Sequence, residues 1–132
     1  MNIGIEKIWQ MQSQKIKKFR VRPGYKSKEL LVEFRGDHRA GDYPDIGALL
    51  GLALGAKSEK HPDLDAATIA LATDRIISYW VYAGGVYEMD DDVDGCFITA
   101  RANYAWVIGD IERALLDSGL FVKEEVDFGD YA

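Results

Sequence analysis

Apolar positions change period along the chain, and the changes mark out its elements. Ile5, Ile8, Trp9, Ile16 and Phe19, with Gln12 among them, fall at helical spacing and predict a first helix over residues 3–17. Phe19-Arg20-Val21-Arg22 then alternates apolar with basic, as a half-buried strand does. Pro23-Gly24 signals a turn. Beyond it Leu30, Val32 and Phe34 alternate with Leu31, Glu33 and Arg35, which predicts an antiparallel partner. The polar stretch 36–43 reads as a loop, and Pro44 suits the first turn of a helix over 45–56. That helix is apolar on nearly every face, so it belongs in the core or in an oligomer interface, with a homodimer through 46–54 as the second case. Gly47, Gly51 and Gly55 share one side of it and permit close packing.

The second half repeats the logic. Residues 58–61 form a break, and Pro62 opens a helix with Leu64, Ala67, Thr68, Leu71, Ala72 and Ile76 on its stripe. Residues 77–82 are β-branched and aromatic, Gly84-Gly85 signals a hairpin, and 86–89 return as its second strand. Residues 90–95 read as a tight acidic turn before a third strand, 96–99. Tyr104, Val107, Ile108, Ile111 and Leu115 mark a final helix, with Leu116 beside the stripe and Gly119 as its left-handed stop. An edge strand over 120–126 and a loose acidic tail over about 127–132 complete the chain. The predicted class is α+β: a mostly antiparallel sheet (β-hairpin plus β-meander) with three to four helices packed on one face, in a single compact domain over 1–132.

Composition narrows the class of protein without naming it. A chain of 132 residues with 48% apolar and 29% charged content can bury about two-thirds of its unfolded surface, with no need of a metal or disulfide. Cys96 is the single cysteine and has no internal partner to bridge to. Glu6 and Lys7 interrupt the N-terminal apolar residues, so no secretory signal is expected and the predicted location is cytoplasmic. The longest apolar run, Ile46–Ala56, is shorter than the roughly 20 residues of a membrane span, so no membrane association is expected.

Charge adds more. Residues 1–28 hold eight bases (Lys7, Lys15, Lys17, Lys18, Arg20, Arg22, Lys26, Lys28) and one acid, whereas the rest of the chain holds eight bases and 21 acids. Such asymmetry either folds onto itself or meets charged partners.

Two clusters of acids are the candidate partner-binding residues. The first is Glu88, Asp90, Asp91, Asp92 and Asp94; the second is Glu124, Glu125 and Asp127, with Phe128 and Tyr131 close by. Asp90, Asp92, Asp94 and Gly95 match the opening of a calcium loop, but the position that requires a bidentate glutamate holds Arg101. No metal and no cofactor is expected. Three adjacent aspartates in one turn repel each other, and a basic partner protein would relieve that repulsion. The alternative is nucleic-acid binding by Lys15, Lys17, Lys18, Arg20, Arg22, Lys26 and Lys28, interleaved with Phe19 and Tyr25, though no nucleic-acid-binding signature accompanies them.

Other residues carry weaker chemistry. His38 and His61 read as surface or capping residues; His38 beside Asp37 and Asp42 is the one acid–base candidate, without a visible nucleophile. Aspartate neighbours would raise the Cys96 pKa, so a core role is expected. Trp9, Trp80 and Trp106 are expected in the core, and Tyr79, Tyr82 and Tyr87 along one sheet face. No phosphate loop, dinucleotide fingerprint or serine elbow is present, which favours a protein that is not an enzyme. The expected function is a non-catalytic, acidic protein-binding module, of the inhibitor or immunity type, that neutralises a basic partner such as a nuclease toxin. Nucleic-acid binding is the alternative, and a small enzyme using His38 a third.

Overall fold

A computed structural model describes residues 16–101 and 104–131. The helix expected over 3–17 lies outside the described residues except at its end, where Lys17 already belongs to a strand. That strand, β1 (Lys17–Pro23), buries Phe19, Val21 and Pro23 and turns Lys18, Arg20 and Arg22 the other way. β2 (Leu30–Phe34) pairs antiparallel with it, Val21 facing Val32 and Phe19 facing Phe34. β3 (Lys57–Glu59), β4 (Ile76–Tyr82), β5 (Gly85–Asp92), β6 (Gly95–Ala100) and β7 (Phe121–Lys123) complete one sheet in the order β3-β4-β5-β6-β2-β1-β7.

Five of the six strand pairings are antiparallel; β7 runs parallel to β1, so the sheet is mixed but mostly antiparallel, and the class is α+β. The N-terminal hairpin and the meander are one sheet because β2 pairs with β6, Val32 opposite Ile98 and Phe34 opposite Cys96. β3, expected as a break, is a short exposed edge strand.

Three α-helices lie among the described residues: α1 (Ile46–Leu54), α2 (Ala66–Thr73) and α3 (Ala105–Asp117). The prolines sit before the helices rather than in their first turns. Asp45 and Asp65 cap α1 and α2 instead, each carboxylate accepting a backbone N–H from three residues on. α1 buries Ile46, Gly47 and Leu50 and leaves Leu52 90% exposed. Its glycines explain its closeness to the sheet: a Cβ on Gly47 would stand 3.2 Å from the Trp80 ring. α3 sets Val107, Ile108, Ile111, Ala114 and Leu115 against the same core, with Phe19, Val32, Phe34, Tyr87, Cys96 and Ile98 from the sheet.

α2 is different. It stops at Thr73, because Asp74 takes a left-handed conformation, and buries none of its residues. The stripe expected to pack inward faces water: Leu71 is 90%, Ile76 51% and Leu64 39% exposed. Not all helices therefore share one face of the sheet. The 60–67 segment covers Ile77, which is buried apart from the main core.

The expectations for several aromatic residues also change. Trp80 stacks on Tyr87 within the core, but Trp106 is more than half exposed and its indole N–H donates to the Gly84 carbonyl. Trp9 lies outside the described residues. Tyr79 faces away from Tyr82 and Tyr87, since an odd separation along a strand reverses the side. Tyr87 is fully buried, not turned to solvent. The C-terminal tail is tied down by a 3-10 turn, Phe128–Tyr131, whose Tyr131 carbonyl accepts the Lys26 N–H while its ring covers the Arg22 guanidinium.

Two glycines give opposite expectations for the packing of α3 on the sheet. Gly85 has φ +150, and a Cβ there would meet Val107 at 2.9 Å, so Gly85→Ala is expected to cost about 1–3 kcal/mol. Gly109 has open space around its Cβ position within α3, so Gly109→Ala is expected to stabilise by up to about 1 kcal/mol. Urea denaturation of the two variants checks both signs.

Candidate functional site

Asp90, Asp91 and Asp92 continue β5 beyond Glu88 and do not form a turn; only Val93 and Asp94 form the bend. Alternation along the strand therefore separates the three aspartates. Asp91 lies on the same side as Met89 and Tyr87, and Asp90 and Asp92 on the side of Glu88. Part of their repulsion is relieved by cations of the chain itself. Arg75 binds Asp90 through both its Nε, at 2.9 Å, and Nη2. Arg39 donates Nε to Asp91 at 2.9 Å, and His38 Nε2 lies 2.6 Å from the same oxygen. Arg39 also donates to the Asp74 carboxylate and to the Asp74 and Asp91 carbonyls, so one guanidinium fastens the 36–43 loop, the end of α2 and β5 together.

Glu88 is held further along the strand. Its Oε1 takes the Arg101 guanidinium and His61 Nε2, each at 2.8 Å, and Arg101 also reaches Asp63. His61 is buried, and its Nδ1 accepts the backbone N–H groups of Asp63 and Leu64, both at 3.0 Å. The ring proton thus sits on Nε2 and is donated to Glu88. His61 acts as a capping residue for the turn ahead of α2.

These contacts bring Asp37, Asp74, Asp90 and Asp91 to one end of the sheet, where β5 runs on into Asp92 and the bend at Asp94. Arg39 and Arg75 are the guanidiniums set among them, so the end carries a net negative charge. Asp92 and Asp94 form no ion pair among the described residues, and Val93 between them is exposed. In the sequence Asp37 stands out only as a neighbour of His38 and Asp74 not at all, because nothing in their local pattern joins them to β5. The only signal was their adjacency to His38-Arg39 and to Arg75.

The second acidic cluster lies elsewhere. Three strands separate β5 from β7, and Glu124 follows β7. Glu124 faces Arg20 and Arg35 at 3.8 and 3.7 Å, Asp127 caps the final turn, and Glu125 is exposed. The two clusters are not one patch. Half of the described bases of the segment are paired: Lys17 with Asp42, and Arg20 and Arg22 with Glu33. Lys18, Lys26 and Lys28 are exposed, and Lys15 lies outside the described residues.

Other candidate chemistry finds little support. The buried Cys96 thiol is pushed up to about 12, first by burial and then by Asp91 and Asp90. His38 is occupied by Asp91, with no reactive thiolate beside it. Among the described residues no group of three or more His, Cys, Asp or Glu side chains is arranged to hold a metal ion, and no helix is long and apolar enough to cross a membrane. No family model, curated protein or solved structure matches the chain.

The ion pairs give the acid end a defined pH response. Burial raises the Asp91 pKa, but hydrogen bonds from His38 and Arg39 outweigh it and leave the carboxyl below its ordinary value. A depressed carboxylate contributes stability that is fully present above the unfolded pKa, about 3.9, and is lost as pH falls through the lower folded value. Asp91→Asn is therefore expected to cost about 1 kcal/mol at pH 7, a modest figure because the site is partly exposed and screened. The difference from the parent should shrink progressively as pH falls below the unfolded value, about 3.9, and go to zero only below the lower folded one. Urea midpoints followed from pH 7 downward measure it.

Proposed function

We propose that the protein is a non-catalytic binding module of the inhibitor or immunity type, acting in the cytoplasm, that holds a basic protein against the acidic end of its sheet. The observation that carries this reading is the set of Asp37, Asp74, Asp90, Asp91, Asp92 and Asp94 beside two guanidiniums, with the half-buried Asp92 and the exposed Asp94 in no ion pair among the described residues. Carboxylates fixed by a sheet end are a ready counterpart for a cationic surface, such as the one a nuclease uses to hold phosphates. Field complementarity of this kind speeds encounter and selects the partner. Asp90 and Asp91 contribute to the field while their own cations hold them in place. Glu124 is engaged by arginines at the far edge, so Glu124, Glu125 and Asp127 take a secondary part.

Nucleic-acid binding keeps Lys18, Lys26 and Lys28, with the exposed Tyr25, as its remaining support. It is the weaker reading, because Lys17, Arg20 and Arg22 are spent on internal carboxylates.

The test is capture of partners by the tagged full chain from lysate of its native host, with and without nuclease, followed by kinetics on the purified partner. A basic protein retained after nuclease treatment is expected. Asp92→Asn with Asp94→Asn should slow its association about fivefold or more at low salt, and the gap should close at high salt. A partner whose association ignores that double variant, or recovery of nucleic acid alone, overturns the proposal.

A further inference from the structure

α1 is apolar along its whole length. Its sequence, IGALLGLAL, carries no polar side chain, yet only Ile46, Gly47 and Leu50 are buried. Leu49 and Leu54 are half-buried, and Leu52 keeps 90% of its surface open to water. A helix apolar on every side belongs where something covers it. The open residues also share one place. Leu49, Leu52 and Leu54 form one wall of a groove of about 440 Å³, and Ala114 and Asp117 of α3 belong to the other.

The groove ends where the chain enters the sheet. Ser118 lies at its end, and two residues further on the Leu120 carbonyl accepts the Lys17 N–H at 3.0 Å. Lys17 opens β1, so residues 1–15, which lie outside the described residues, join the fold at this end of the groove. Their sequence sets Ile5, Ile8 and Trp9, with Gln12, at helical spacing. A helix over residues 3–15 would measure about 20 Å, the length of the 13-residue α3 that borders the groove. Charge agrees with this placement. Asp117 is exposed at the groove end and forms no ion pair among the described residues. Lys15 stands two residues before Lys17, within reach of it.

We propose that residues 3–15 of this chain fill the groove between α1 and α3 as a helix, with Ile5, Ile8 and Trp9 against Leu49, Leu52 and Leu54, and Lys15 beside Asp117. The proposal goes beyond the acidic-end reading and does not depend on it. Topology supports it: β1 runs parallel to β7, so a helix leading into β1 points the same way as α3, which leads into β7. The other candidate for the groove is the 46–54 face of a second copy. A segment tethered at the groove end has an effective concentration on the order of mM, which favours it over a separate molecule.

The test is amide hydrogen exchange of the full chain, read by mass spectrometry over residues 3–15, with urea denaturation of the same proteins. These amides are expected to exchange about tenfold or more slowly than in a free synthetic peptide of residues 1–15. Leu52→Gln should remove most of that protection and lower the folding equilibrium constant about tenfold, because a covered leucine becomes polar. Leu71→Gln, an equally exposed leucine on α2, should change neither. Trp9→Ala should have the effect of Leu52→Gln, and the two together should cost less than their sum, since both remove one contact. Circular dichroism verifies that the variants fold. Unprotected amides overturn the proposal. Protection that Leu52→Gln leaves intact also overturns it, because the segment would then lie elsewhere. So does sedimentation showing a dimer that Leu52→Gln dissociates, since a second copy would then occupy the groove.

Discussion

The pairing of β2 with β6 is the constraint on which the molecule rests. It joins an N-terminal hairpin to a meander formed from the second half of the chain and so makes seven strands into one sheet. Val32 against Ile98 and Phe34 against Cys96 set the register, and all four are buried. A slip of β6 by one residue would turn Ile98 and Cys96 outward and bring Phe97 into the core. α1 and α3 cover the side that this register makes apolar, and β7 then adds parallel to β1 with Phe121 at the edge of the same core.

Once the register is fixed, the charge layout follows. Strand alternation divides the acids of β5 between two sides, and each side meets its own cations. Asp91 is met by His38 and Arg39 from the loop after β2, Asp90 by Arg75 ahead of β4, and Glu88 by His61 and Arg101. The acids thereby anchor three connecting segments that bring little apolar surface of their own. What is left over, the exposed Asp94 and the half-buried Asp92 beside it, forms no ion pair among the described residues, and the proposed docking surface is built from that remainder.

Much of this was legible in the sequence, and the physical reason is periodicity. β1, β2, β4, β6 and α3 were readable because alternation or helical spacing held over enough residues to choose one period. The class and the mostly antiparallel sheet came from the same signal, and the Cys96 environment came from its neighbours. Local chemistry set helix starts where periodicity could not: Asp45 and Asp65, rather than the prolines, begin α1 and α2. The acidic run was visible, but it could not be told apart as turn or strand, because aspartate favours turns and only pairing with β4 and β6 holds it extended.

Tertiary structure decided the rest. A helical stripe states which residues share a side, not whether anything covers that side, so Ala67 and Leu71 on α2 carry the same local signal as the buried stripe of α3 and end in water. Charge counts likewise give totals and not neighbours. That Asp37 and Asp74 join the β5 acids, that Glu124 stands three strands away, and that Arg20 and Arg22 are occupied by Glu33 all depend on strand order. The sequence by itself determined most of the elements and the sign of the surface, because those are largely local properties of period and composition. Which charges remain unspent, and which apolar side is left open, are properties of distant contacts, and only the folded sheet brings those contacts into being.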